Sequence, residues 1–146
     1  VTLVNARAQA AERRIEVVES TSSGQVGFPN LMVLRLKTSE RDFSVAGTLF
    51  GRNHLRLVDV DGVEVDAIPQ GHLLLVRNDD TPGVVGHIGT LLGESSVNIA
   101  RMTVGRKPGS GRAIMLIEVD SEVPAAVTDE LTSMPGIREA RFLRLG

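Results

Sequence analysis

Residues 72–92, HLLLVRNDDTPGVVGHIGTLL, place an apolar run, a polar turn and an amphipathic stretch in immediate succession. The first six of these residues have the length of a buried strand. Pro82 suits the first turn of a helix, and Asp80 or Thr81 can cap that helix from the preceding positions. Apolar residues then recur at helical spacing: Val84, Val85, Ile88, Leu91 and Leu92. The stretch therefore predicts a strand, a tight turn and a helix that ends near Gly93.

The rest of the second half continues this alternation of strands and helices. A strand starts at Val97, a turn follows at residues 107–111, and the apolar run 113–119 returns, which predicts a hairpin. A second helix opens at Pro124, and a last strand covers residues 137–145. The order βαββαβ is that of the ferredoxin-like fold, an antiparallel sheet with both helices on one face. Such a sheet leaves its other face for something else to cover.

The first half is less regular and predicts a small, mostly antiparallel α/β domain. Its expected helix covers residues 3–13. The expected strands are residues 15–19, 31–37, 43–50, 55–60 and 63–67. Asp61-Gly62, between two alternating runs, is a typical two-residue hairpin turn. The predicted fold class is therefore α+β, with a domain at residues 1–70, a second domain at residues 71–146, and a joint at residues 68–71 that could act as a hinge.

Composition and charge exclude several classes of function. The 146 residues carry 16 Lys/Arg and 18 Asp/Glu, spread evenly between the halves, which favours no polyanionic partner. Cysteine is absent, so no disulfide framework or Cys-ligated metal site is expected. No apolar run approaches the roughly 20 residues of a membrane span. We therefore expect a cytoplasmic protein with no membrane partner. Because the sequence starts at Val1 without Met, we also expect a segment of a longer protein.

Gly83, Gly86 and Gly89 recur at every third residue of the predicted helix. This spacing fits neither the dinucleotide fingerprint G-x-G-x-x-G nor the phosphate loop G-x-x-x-x-G-K-[ST], and Asp79 and Asp80 would repel phosphates. A spacing of three aligns the glycines along one stripe, where missing side chains let the helix approach a sheet or another copy of itself. Close packing is the favoured interpretation.

The polar residues before these glycines allow two interpretations. A helix N-terminus offers free N–H groups that suit a carboxylate, and Asp79 or Asp80 beside it could take an ammonium group. Together these groups would suit an amino-acid zwitterion. The alternative is that Asp80 or Thr81 only caps the helix, which is a common role for such residues. Periodicity alone favours the cap.

Three stretches resemble known domains. Residues 73–102, LLLVRNDDTPGVVGHIGTLLGESSVNIARM, look like the opening of an ACT domain, a small amino-acid-sensing regulatory module of βαββαβ form. Residues 44–76, SVAGTLFGRNHLRLVDVDGVEVDAIPQGHLLLV, are similar to the intervening domain that precedes the ACT domain in the longer type of D-3-phosphoglycerate dehydrogenase. Residues 1–20, VTLVNARAQAAERRIEVVES, resemble the beginning of that intervening domain. The resemblance covers nearly the whole chain.

The resemblance implies an effector site for L-serine, or a similar small amino acid, between two paired ACT domains. In that family, polar side chains ahead of the Pro-Gly turn and an Asn at the start of the second strand hold serine. The matching positions are Asn78, Asp80 and Asn98, and Asn78 stands where a histidine is often found. Asp80 and Asn98 would bind the amino and carboxylate groups, assisted by N–H groups near Gly83 and Val84. Self-association through the ACT domains is implied as well.

In some relatives the intervening domain also binds an anionic, phosphorylated substrate, which requires guanidinium or ammonium groups. Arg52 and Arg56 are the candidates for such a site. The alternative, which is favoured, is that both are solvated strand residues. Other basic positions of those relatives are occupied here by Ile68 and Glu118.

Catalysis within these residues is not expected, because His54, His72 and His87 are scattered and no spacing resembles a zinc site or a nucleophile with its base. By resemblance, NAD and the oxidation of 3-phosphoglycerate belong to catalytic domains N-terminal to Val1. This segment would regulate them without a cofactor of its own. The alternatives are the regulatory domain pair of an iron–sulfur L-serine dehydratase and a free-standing amino-acid-binding ACT protein. Nucleic-acid binding is disfavoured, since Trp and Tyr are absent and Phe142 is the one Phe of the second half.

Overall fold

The computed structural model describes residues 4–21, 27–28, 30–51 and 53–146. Along these residues the elements follow in the order α1 (Ala6–Glu12), β1 (Met32–Lys37), β2 (Asp42–Phe50), β3 (His54–Val60), β4 (Val63–Ala67), β5 (Gly71–Asp79), α2 (Val84–Glu94), β6 (Ile99–Lys107), β7 (Arg112–Val119), α3 (Ala125–Ser133) and β8 (Ile137–Leu145). The strands form two four-stranded sheets, β1 to β4 in the first sheet and β5 to β8 in the second sheet.

The first sheet is an antiparallel meander in which each strand pairs with the next along the chain. Its tightest turn joins β3 to β4, where Val60 pairs with Val63 and two residues lie between them. These residues, Asp61 and Gly62, have positive φ angles of 52° and 76°. A type I′ turn requires positive φ at both central positions. The predicted hairpin at Asp61-Gly62 is confirmed.

The second sheet has the strand order β6-β7-β5-β8, and every neighbouring pair is antiparallel. Helix α2 connects β5 to β6, and helix α3 connects β7 to β8. This is the βαββαβ order of the ferredoxin-like fold. The predicted α+β class is therefore confirmed.

Both helices pack on one face of the second sheet over an apolar core. Leu74 and Val76 alternate to this face of β5, because successive side chains of a strand point to opposite faces. Ile88 and Leu92 come from α2 and Leu131 from α3, and all five side chains are fully buried in one cluster. The 3.6-residue period of α2 and the two-residue period of β5 thus place their apolar residues against each other.

The first sheet covers the opposite face of the second sheet. One buried apolar cluster joins residues of both sheets: Val60, Val63, Val65, Ala67, Leu73, Ile114 and Leu116. Gly105 on β6 permits this close approach, since a Cβ there would meet the carbonyl oxygen of Glu64 and lie 2.7 Å from a methyl carbon of Val63. A glycine inside a strand often marks such an approach of another backbone. The face of the second sheet that was predicted to need a cover is therefore covered by the N-terminal half of the chain.

The predicted strand at residues 15–19 is wrong, because residues 15–20 have no regular secondary structure. Ile15, Val17 and Val18 are exposed. Their β-branched side chains favour a strand, but a strand also needs a neighbouring strand for its backbone groups. No strand of the described residues pairs with this segment.

The predicted close packing of the α2 glycines on the sheet is also wrong within the part of the chain that the structure describes. A Cβ at Gly86 or Gly89 would meet no atom within 4 Å. Both residues lie on a helix whose apolar face is formed by other side chains. The approach of this stripe to another copy of the chain remains a prediction.

Candidate functional site

The polar turn begins at the end of β5, ahead of α2. Asn78 and Asp79 are the last two residues of the strand. Asn78 is only 2% exposed, and its Nδ2 donates to the Asp79 carbonyl oxygen at 2.7 Å. The Oδ1 of Asn78 is buried without a hydrogen-bond partner among the described residues. Such an acceptor is unusual in a folded protein.

The first turn of α2 has no side-chain cap. Gly83 is the N-cap residue, with a φ of 93°, and no side chain bonds to the free N–H groups of the turn. The predicted cap by Asp80 or Thr81 is therefore wrong. The reason is that Gly83 readily adopts the left-handed conformation and takes the N-cap position itself. The side chain of Val84 is buried in the core, so the helix presents backbone N–H groups and a positive dipole end at this turn.

Each aspartate of the turn has an arginine partner. Asp79 Oδ1 accepts a hydrogen bond from Arg138 Nε at 2.7 Å. Asp80 Oδ1 lies 3.3 Å from Arg106 Nε, and the side chain of Arg106 is 72% exposed. An exposed pair of this kind contributes little stability and exchanges easily. Asp80 is therefore accessible to an ammonium group of a ligand.

Asn98 lies just before β6 and is exposed. Its Nδ2 donates to Asp120 Oδ2 at 2.6 Å, and its carbonyl oxygen accepts from the Asp120 N–H at 3.1 Å. These two bonds hold the amide of Asn98 beside the end of β7.

Asp80 and Asn98 belong to opposite ends of the second sheet. Asp79 pairs with Arg112 at the start of β7, whereas Ile99 pairs with Val119 at its end. The two β7 residues are seven positions apart, which is about 23 Å along a strand. The structure thus brings Asn78, Asp80, Gly83 and Val84 to one turn of the chain, and it does not bring Asn98 to them.

Of the two predicted anion-binding arginines, the structure describes Arg56. Arg52 lies outside the described residues, and Arg56 Nη1 forms an ion pair with Asp66 Oδ1 at 3.1 Å. Ile68 and Glu118 lie together, since the Ile68 N–H donates to Glu118 Oε1 at 3.2 Å, and Arg101 Nη1 lies 3.6 Å from the same oxygen. The role of Arg52 and Arg56 in binding an anion stays a prediction.

The described residues contain no group of three or more His, Asp or Glu side chains that could hold a metal ion. No helix in this part of the chain is long and apolar enough to span a membrane. Among the histidines, His72 has a structural neighbour, because its ring centroid lies 5.7 Å from that of Phe142.

Comparison with known families confirms the resemblance of both halves. The D-3-phosphoglycerate dehydrogenase intervening domain matches residues 1–61, and the ACT domain matches residues 72–136. Residues 1–61 belong to the phosphoglycerate dehydrogenase intervening-domain family, and residues 72–136 belong to the ACT family. D-3-phosphoglycerate dehydrogenases of Bacillus subtilis, Archaeoglobus fulgidus and Synechocystis are 35%, 36% and 35% identical over 99% of the chain. The chain spans 28%, 28% and 26% of these relatives, in their C-terminal region.

An ion-pair network that the sequence did not predict ties the intervening domain to the ACT domain. Glu139 on β8 accepts hydrogen bonds from Arg41 Nη2 at 2.8 Å and from Arg77 Nε at 2.9 Å. Arg77 Nη1 also pairs with Asp61 Oδ2 at 2.7 Å. Strand alternation places Arg77 and Glu139, which are register partners, on the sheet face away from the helices. Their partners in the first sheet, however, carry no local sequence pattern.

We expect this network to make stability depend on pH in acid. Partial burial raises the pKa of Glu139, but the hydrogen bond and charge of Arg41, with the charges of Arg77 and Arg141, outweigh it, so the pKa lies below its ordinary 4.5. A carboxyl with a lowered pKa stabilises the fold above its ordinary pKa, and this contribution is lost as the pH falls through the folded-state pKa. Urea unfolding from neutral pH to about pH 3 should therefore show a larger loss of unfolding free energy for the wild type than for Glu139→Gln.

Glu130→Gln, at an exposed position on α3, is the matched control. It removes one carboxylate outside the network and should follow the wild type at every pH. If Glu139→Gln also followed the wild type throughout, the network would contribute no pH-dependent stability.

Proposed function

We propose that this chain is the regulatory C-terminal portion of an NAD-dependent D-3-phosphoglycerate dehydrogenase of L-serine biosynthesis. Two chains associate through their ACT domains, and L-serine or a similar small amino acid binds between them. NAD and the oxidation of 3-phosphoglycerate belong to catalytic domains that precede this region in the whole enzyme. The match of residues 1–61 to the dehydrogenase intervening domain favours this function over an iron–sulfur L-serine dehydratase or a free-standing ACT protein.

The observation that carries this proposal is the uncapped N-terminus of α2 beside Asp80. Free N–H groups near Gly83 and Val84 suit the carboxylate of an amino acid. The carboxylate of Asp80 suits its ammonium group. Asn78 belongs to the same turn, with its side chain buried. A positive helix end and the carboxylate of Asp80 on one turn match the two charges of a zwitterion.

The position of Asn98 supports a site shared by two chains. Asp80 and Asn98 are separated by most of the length of the second sheet, so one serine contacts both only if they come from different chains. A twofold axis that sets Asp80 of one chain against Asn98 of the other creates two equal sites, because isologous pairing repeats every contact. The partly exposed side of α2 carries Val85, Gly86 and Gly89. The two glycines have no side chain beyond hydrogen, so this side would let a second chain approach the helix closely.

Serine would regulate by shifting an equilibrium between arrangements of the paired chains. It binds best to the arrangement in which Asp80 and Asn98 meet. It favours that arrangement only by the difference between its affinities for the two states. Serine concentration is thereby linked to the pairing of the ACT domains and, through it, to the catalytic domains.

Calorimetric titration of the chain with L-serine tests this function. We expect saturable binding of one serine per chain, with D-serine and glycine at least about tenfold weaker, because they misplace or lack the hydroxyl group. Sedimentation of the same samples should show that serine strengthens pairing, since a ligand stabilises the state it binds. A folded and paired chain that binds no L-serine would refute the serine assignment.

A further inference from the structure

Strand β1 is an open edge of the first sheet. It pairs with β2 on one side, and no strand of the described residues pairs with its other side. An edge strand presents a row of backbone N–H and C=O groups that can pair with a strand of another chain. The opposite edge of the same sheet is covered, because β4 packs on β6 and β7 and buries Val63, Val65 and Ala67.

One face of β1 carries a row of exposed apolar side chains. Met32, Leu34 and Leu36 are 68%, 62% and 52% exposed, and they share a face because the side chains of a strand alternate. The register of β1, β2 and β3 puts Leu49 and Leu55, which are also exposed, on the same face. Neighbouring exposed apolar residues of this kind mark an interaction surface.

The sequence of β1, MVLRLK, is symmetric about Leu34 in its apolar residues. A twofold axis at Leu34 would set this residue against Leu34 of a second copy and Met32 against Leu36. Residues directly opposite each other in an antiparallel pair share a face, so apolar side chains would meet apolar side chains. On the other face, Arg35 would lie opposite Val33, so no cation would directly oppose another.

The neighbouring registers fit less well. A twofold axis at Arg35 would set two guanidinium groups directly opposite each other, and like charges in this position destabilise a pair of strands. An axis at Val33 would leave only residues 32–34 paired within both strands, because β1 starts at Met32. The pattern of β1 therefore matches a second copy of itself in one register.

We propose that β1 pairs with β1 of a second copy of this chain, antiparallel and with Leu34 opposite Leu34. The two first sheets then join into one continuous sheet across the twofold axis. Main-chain hydrogen bonds and the cross-strand apolar contacts hold the pair together. This interface does not involve the second sheet or α2, so it is separate from the pairing of the ACT domains. A chain with two different twofold interfaces builds an assembly larger than a pair.

Disulfide formation by a single introduced cysteine tests the register, because the chain contains no cysteine of its own. Opposite residues of an antiparallel pair have Cα atoms about 4.5 to 5.5 Å apart, which suits a disulfide. We expect Leu34→Cys to form a disulfide-linked dimer at least about tenfold faster than Val18→Cys, because pairing raises the effective concentration of the thiol. Val18 is the control because its side chain is 79% exposed and lies outside β1.

The same experiment separates the proposed register from a random collision of edges. Arg35→Cys alone should crosslink as slowly as the control, because the two Cα atoms would be about 7 to 8 Å apart or more, beyond disulfide reach. A mixture of Arg35→Cys and Val33→Cys should crosslink rapidly, since these positions lie opposite each other.

A charge at the centre of the interface tests the association itself. Leu34→Lys sets two ammonium groups opposite each other and should weaken the association at least about tenfold, measured by sedimentation over a range of chain concentrations. Val18→Lys makes the same change at another exposed position and should associate as the wild type does. Leu34→Lys should keep its serine binding, because Asp80 and Asn98 do not belong to the first sheet.

Two results would overturn this proposal. One is that Leu34→Cys crosslinks no faster than Val18→Cys, which is also the result expected if a segment of a different protein covers β1. The other is that Leu34→Lys and Val18→Lys associate equally. Both positions are exposed, so neither substitution removes a core contact and the variants should remain folded.

Discussion

Alanine at Asp80 or at Asn98 is expected to weaken L-serine binding at least about tenfold, and mixing the two variants is expected to restore part of the wild-type binding. Each substitution removes a hydrogen bond to a charged group of the ligand, which weakens binding at least about tenfold. Asp80 and Asn98 are too far apart in one chain to share a serine. In a mixed pair, one of the two sites combines the intact Asp80 of one chain with the intact Asn98 of the other.

Calorimetry of each variant alone and of an equal mixture measures this effect. Random pairing should recover roughly a quarter of the wild-type serine sites, because half of the pairs are mixed and each mixed pair has one intact site. Circular dichroism and sedimentation establish that both variants remain folded and paired. Full binding by either variant alone would show that its residue does not hold serine. Loss in both without recovery in the mixture would show that the two residues do not complete one serine site across a pair of chains.

Alanine at Gly105 is expected to destabilise the protein by about 2 to 3 kcal/mol, because overfilling a close-packed contact forces the backbone to move. The added Cβ would meet the carbonyl oxygen of Glu64, which cannot rotate away as a side chain can. Strand propensity on its own favours alanine over glycine by a smaller amount. Urea unfolding measures the difference in unfolding free energy between Gly105→Ala and the wild type. Because of the contact between the sheets, we expect the variant to be the less stable protein.

Gly86→Ala makes the same chemical change in a different setting. Gly86 lies inside α2 with no neighbour within 4 Å of the new methyl group. Alanine should stabilise this helix position by about 0.5 to 1 kcal/mol. Equal stability of Gly105→Ala and the wild type would mean that the first sheet does not pack on β6 as the structure shows.

Most of the second sheet and its helices could be predicted because each element is specified by residues next to one another. The apolar period of α2 and the positive φ of the Asp61-Gly62 turn are local properties. The N-cap of α2 shows the limit of such rules, since Asp80, Thr81 and Pro82 all fit a helix start and Gly83 takes the N-cap position. Residue preferences identify several possible N-cap residues. They do not say which of these residues adopts the backbone conformation that starts the helix.

The remaining features depend on contacts between distant residues. The hydrogen bond between Arg41 and Glu139 joins residues 98 positions apart. No local sequence pattern around either residue indicates that the other is its partner. Nothing in the sequence around Gly105 shows that a side chain is excluded there. The reason is the contact with β4, which appears only in the folded structure. The separation of Asp80 from Asn98 follows from the strand register, which the spacing of the motif does not contain.

The apolar cluster between the two sheets makes the joint at residues 68–71 a poor hinge. Bending there would pull Val63 and Val65 away from Ile114 and Leu116 and expose an apolar interface to water. We therefore expect the first sheet to move together with the ACT domain as one rigid body. A small rotation between two paired ACT domains would become a larger sweep at the far end of the first sheet, where β1 presents the exposed side chains of Met32, Leu34 and Leu36.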